Sequence, residues 1–109
     1  MALKLNSYKT ITEVVPLTEL VVYTAPVGYT GVVLLAQITN IDSQSHDVTL
    51  LHRRGSIDTE IAKTFPISGN DAINLVDGKL FLQTGDQLVL FGSTNTGLKF
   101  ISSILETLN

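Results

Sequence analysis

The apolar residues of this chain recur in short runs that alternate with polar ones, and Gly, Pro, Asn and Asp separate the runs. A two-residue period of this kind belongs to β-strands, and no window carries a 3.6-residue apolar repeat over three turns. Residues 18–24 predict a strand, stopped by the turn Ala25-Pro26-Val27-Gly28. Residues 30–41 follow as a long strand, apolar on both faces at Val32-Val33-Leu34-Leu35, which suggests a central strand covered on both sides. After the polar turn Asp42-Ser43-Gln44-Ser45, residues 46–54 alternate cleanly. Val48, Leu50 and His52 fall on one face of that strand, with Asp47, Thr49, Leu51 and Arg53 on the other.

Gly55-Ser56 breaks the run, and residues 59–65 form the next expected strand, ended by Pro66. Residues 67–75 read as a loop around Ser68-Gly69-Asn70-Asp71. Asp77-Gly78 precedes a strand at 79–83, and Gly85-Asp86 makes a tight turn into 87–91. A turn at 93–97 leads to a last strand over 98–107, within which Ser102-Ser103 marks a bulge. The pattern sums to about seven or eight strands with no helix and no repeat. The expected fold is therefore all-β, a two-sheet antiparallel β-sandwich of jelly-roll or Greek-key type. Residues 18–109 are read as a single β-sandwich domain, and residues 1–17 as a first strand or an arm reaching onto a neighbour.

Composition supports strands: 13 Thr, 10 Val and 9 Ile are β-branched and pack well on a pleated surface. Charge adds more. Only 16% of residues are charged and 44% are hydrophobic, against about a quarter charged in an average globular chain. A small domain so poor in charge either carries a neutral surface or hides part of that surface in an assembly, and the second reading is preferred. The net charge of −3, with basic residues scattered except for Arg53-Arg54, predicts no nucleic-acid partner. The longest unbroken apolar run, Val32-Val33-Leu34-Leu35-Ala36, predicts no membrane span. The first residues lack a signal-peptide pattern, so synthesis in a cytoplasm is expected. The sequence holds no cysteine, which excludes disulfides, thiolate metal sites and a Cys nucleophile.

The residues that could carry chemistry do not form a recognisable set. His46 and His52 share a strand face but lie roughly 20 Å apart at about 3.3 Å per residue, too far for a common metal. No Gly-x-Ser-x-Gly elbow is present. Asp42, Asp47, Asp71 and Asp77 sit beside turn residues, where an aspartate commonly bonds its own backbone. No catalytic residue, metal or cofactor is expected. Tyr23 is read as core, while Tyr29 is balanced between turn packing and contact with a partner. The residues expected to touch a partner are Leu3, Leu5, Tyr8 and Tyr29.

Several segments resemble a known family. Val22-Tyr23-Thr24-Ala25-Pro26-Val27-Gly28-Tyr29-Thr30-Gly31-Val32-Val33, continuing through Ala36-Gln37-Ile38-Thr39-Asn40, is similar to a recurrent stretch of small tailed-phage virion proteins. The same holds for Asn70-Asp71-Ala72-Ile73-Asn74-Leu75, Gly78-Lys79-Leu80, Gly85-Asp86-Gln87-Leu88 and Ser102-Ser103-Ile104-Leu105-Glu106. The likeness spans residues 18–107 and is greatest to proteins of phages of cyanobacteria and other marine bacteria. It implies a non-enzymatic virion protein: a head decoration (cement) subunit, homotrimeric, bound to the major capsid protein and bridging its subunits. The alternative is a tail, fibre or baseplate β-sandwich that touches host surface glycans. No catalytic residues come with the resemblance.

Overall fold

The computed structural model describes residues 5–109, which form nine β-strands and no helix. The strands are β1 (Asn6–Val14), β2 (Leu20–Thr24), β3 (Tyr29–Asn40), β4 (His46–Arg54), β5 (Ile57–Ile67), β6 (Ala72–Asn74), β7 (Leu80–Leu82), β8 (Gln87–Gly92) and β9 (Leu98–Leu108). Sheet A has the order β1-β9-β3, with β6 and β7 both paired to the far side of β3; sheet B has the order β2-β8-β4-β5. Every pairing is antiparallel.

The pairing is nested. β4 pairs β5, β3 pairs β6 and β7, β2 pairs β8, and β1 pairs β9, as in one long hairpin. That ribbon is rolled so that β3 also pairs β9 and β4 pairs β8. Rolling a hairpin in this way gives a jelly roll, the first of the two sandwich topologies expected from the sequence. Its core is made by the inward residues of both sheets. Ala36, Ile38, Phe100 and Ile104 come from sheet A, and Val48, Leu50, Leu88 and Leu90 from sheet B. All are buried, and each large one contributes ~1.5–3 kcal/mol on removal from water.

Three local readings of the sequence are corrected. The strand expected to stop before Pro66 runs through it to Ile67. β5 is an edge strand, where a residue without an N–H costs no ladder bond on the open side. The loop expected over 67–75 contains β6, whose three residues are too few to show a period.

The third correction concerns the apolar run of β3. Its register against β9 shifts between Val33 and Leu35, so Leu34 is an extra residue and the inward set changes from Gly31 and Val33 to Ala36, Ile38 and Asn40. The run is apolar throughout because parity changes inside it: Val32 and Val33 are buried on opposite faces, as a strand covered on both sides requires, whereas Leu34 is exposed on the outer face. The bulge attributed to Ser102-Ser103 thus lies opposite them, on β3, while β9 alternates without interruption. Ser102 is linked to it all the same, since its Oγ donates to the Leu35 carbonyl at 2.7 Å.

Candidate interaction surface

The bonded titratable side chains fall into separate clusters of two or three. Asp86, buried beneath the turn from Gln83 to Asp86, accepts two bonds from Arg54 (2.8 and 2.7 Å), one from the Gln83 amide (2.9 Å) and meets His52 Nε2 at 3.0 Å. The Arg54 guanidinium, helped by His52 and the amide, holds this carboxyl far below the usual carboxylate range against the opposing effect of burial. His46 meets Asp42 at 2.9 Å at the other end of β4, and the hydrogen bond from His46 keeps the Asp42 carboxyl low. The two histidines share a strand face, as expected, but each has its own aspartate. Asp42 and Asp71 also accept from the next backbone amide, the turn role read for them. Among the described residues no group of three His, Asp or Glu could hold a metal ion.

Sheet B turns a charged surface outward. Arg53 lies across it, bonded to both oxygens of Asp58 (2.7 and 3.0 Å) and to Glu19 (3.0 Å). Sheet A differs. Register places Asn6, Tyr8, Thr10, Thr12 and Val14 of β1 outward, opposite Thr107, Leu105, Ser103, Ile101 and Lys99 of β9. These in turn face Thr30, Val32, Leu35, Gln37 and Thr39 of β3, with Phe81 of β7 beside Val32. Across the outward positions of the described strands of sheet A, Lys99 is the one charged side chain.

One row on this face is wholly apolar. Tyr8, Leu105, Val32 and Phe81 are successive cross-strand neighbours over β1, β9, β3 and β7. The two ends are open, Tyr8 being 77% and Phe81 60% exposed, while Val32 in the middle is 6% exposed. Leu34, pushed outward by the bulge, and Ile101 extend the apolar area along the strands. Next to Ile101 the face dips into a hollow of about 480 Å³, lined by Thr12, Glu13, Val14, Thr39 and Lys99 among others, so the carboxylate of Glu13 reaches its rim from the β1 edge.

The sheet edges are guarded. On β1, register turns Lys9 and Glu13 inward, and Lys9 Nζ lies 3.5 Å from Glu106. Inward charge on an edge strand discourages pairing with another edge. β5 carries two register shifts and Pro66, β2 is short and bulged, and β6 and β7 have three residues each. The sandwich therefore offers a face, not an edge.

Of the residues expected to touch a partner, Tyr8 is in the apolar row, and Leu5 is exposed just before β1, its carbonyl accepting from Leu108. Tyr29 is half-buried at the start of β3, and Leu3 lies outside the described residues. Leu105 and Phe81 were not singled out in the sequence, and Val32 only as part of an apolar run expected to be covered, because the row exists only once four distant strands are in register. Tyr23 is buried, as expected.

No family model matches the chain, and no curated protein matches it. Among solved structures it is similar to a chain from Bacillus endospore appendages, described as a novel family of disulfide-linked pili. The identity is 15% and the TM-score 0.53, over 95% of this chain and 88% of that one. At this identity the likeness is one of fold, and it extends over most of both chains.

Proposed function

We propose that this chain is a non-enzymatic structural subunit of an assembled particle, joined to neighbouring proteins through the outer face of sheet A. The observation that carries the reading is the apolar row Tyr8–Leu105–Val32–Phe81 on a face whose outward strand positions hold one charge, Lys99. Exposed apolar area of this kind marks contact surfaces, and blunted edges direct association to faces. The appendage chain of similar fold belongs to pili that are linked by disulfides. This sequence holds no cysteine, so an assembly of it is held by buried area instead.

The finer reading is a virion protein, a head decoration subunit that binds the major capsid protein and cements neighbouring capsomers. It is supported by the resemblance of residues 18–107 to small tailed-phage virion proteins. Cementing needs no catalytic group: contacts of modest strength, repeated over a shell, sum through multivalency. Quantitative mass spectrometry of purified particles from a producing host tests this. Tens of copies or more per particle, co-purifying with heads, are expected; absence from the particles would contradict the reading.

A further inference from the structure

We propose that the outer face of sheet A pairs with the same face of a second copy of this chain, about a twofold axis running along the strands between β9 and β3. The inference rests on the structural-subunit reading above and names the first partner of its contact face. The row that carries it is symmetric in kind: aromatic, aliphatic, aliphatic, aromatic, in the order Tyr8, Leu105, Val32, Phe81. Turned over about an axis through its centre, the row meets its own reverse. Tyr8 of one copy then lies opposite Phe81 of the other, and Leu105 opposite Val32, each pair occurring twice as a closed twofold contact requires. The open aromatic ends supply ring-to-ring contact, on either side of a centre where Val32 is already nearly buried and Leu105 is half-buried.

Charge points to the same occupant. A face with one cation in its outward positions offers little to a charged partner and brings only one like charge from each copy into a self-contact. Under this axis Lys99 meets Thr39 of the other copy rather than another lysine. Strands β1, β9 and β3, about 4.8 Å apart and roughly 30 Å long, with the short β6 and β7 beside them, give a plan area of roughly 500 Å², just at the ~500 Å² per partner of a specific interface. Sheets packed this way lie within about 30° of each other, as in ordinary sandwiches. A threefold ring, which the family resemblance implies, needs two different complementary surfaces on each copy. This face supplies one that complements itself.

Sedimentation analysis of the full chain over a wide concentration range tests the pairing. A reversible monomer–dimer equilibrium is expected. Tyr8→Arg and Phe81→Glu should each weaken it about tenfold or more, and the two combined in one chain should restore much of it, since each new cation faces the other copy's new carboxylate. Thermal unfolding of each variant checks folding; if a charged variant melts early, Tyr8→Ser and Phe81→Ser carry the same test, with weaker dimerisation expected. A monomer at every concentration, a trimer, a dimer indifferent to the single substitutions, or a double variant no tighter than the single ones would overturn the proposal. A monomer that still decorates particles in many copies would overturn the pairing and leave the structural reading standing. A normal dimer absent from particles would do the reverse.

Discussion

The hydroxyl of Tyr23, on sheet B, donates a 2.7 Å hydrogen bond to Oε2 of Glu106, on sheet A, and so ties the two layers across the core. Glu106 is 5% exposed, and its other oxygen lies 3.5 Å from Lys9. Removing the hydroxyl takes the Tyr23 donor from Oε2 of this buried carboxylate, so Tyr23→Phe should cost about 1–3 kcal/mol in denaturant unfolding. Burial, reinforced by Glu106, pushes the phenol well above its usual pKa. A raised folded-state value means that this stability is fully present below about pH 10 and is lost as pH rises above it. Wild type should therefore lose stability in alkali more steeply than Tyr23→Phe.

Gly31 makes room for that tyrosine. A Cβ there would stand 2.8 Å from both Cε2 and the hydroxyl of Tyr23. Gly31→Ala should destabilise by about 1–3 kcal/mol through overpacking. Combined with Tyr23→Ala, which empties the space, the same substitution should cost far less than it does alone. A double-mutant cycle reads this coupling, and additive effects would show that the ring moves aside freely.

Asp86 fastens the Gln83–Asp86 turn to the end of β4 through Arg54 and His52. Its depressed pKa means that the stability it supplies is present above the unfolded value of about 4 and is lost as pH falls below it. Asp86→Asn should cost roughly 1–3 kcal/mol near neutral pH, with the exposed Arg54 keeping the figure modest. The gap between variant and wild type should narrow in acid, as chemical denaturation near neutrality and at about pH 2–3 will register.

Thr64 holds a φ of +45°, a left-handed conformation unfavourable for a β-branched residue, at a register shift of β5. Its amide donates to the buried Thr49 Oγ1 at 3.0 Å. Thr64→Gly should be neutral or stabilise by up to about 1 kcal/mol, whereas Thr49→Val, which removes the acceptor, should destabilise by about 1–2 kcal/mol. The thermal midpoints of the two variants should move apart.

Much of the fold was legible because strand alternation and turn chemistry are local. Gly85, in the expected tight turn, has a φ of +87°, a conformation that suits glycine, and β9 alternates buried and exposed as its sequence reads. What the sequence concealed depends on pairing. The extra residue Leu34 is invisible until β3 is laid against β9, and it decides which of Val32 to Leu35 face outward. The candidate face was harder still: Tyr8 could be singled out by its place near the start of the chain. Its neighbours Leu105, Val32 and Phe81 come from strands far apart in sequence, brought to one row by register alone. Asp86 likewise looked like a turn residue, and its bonds to His52 and Arg54 follow from the β4–β8 pairing.

In the proposed assembly, the outer face of sheet A is the surface that other protein covers. Hydroxyl-radical footprinting of the full chain, from dilute solution into its associated form, reads this residue by residue. Tyr8 and Phe81 should lose labelling together while Phe65 and Ile57 of β5 keep theirs. Unchanged labelling of Tyr8 and Phe81, or protection confined to β5, would contradict it.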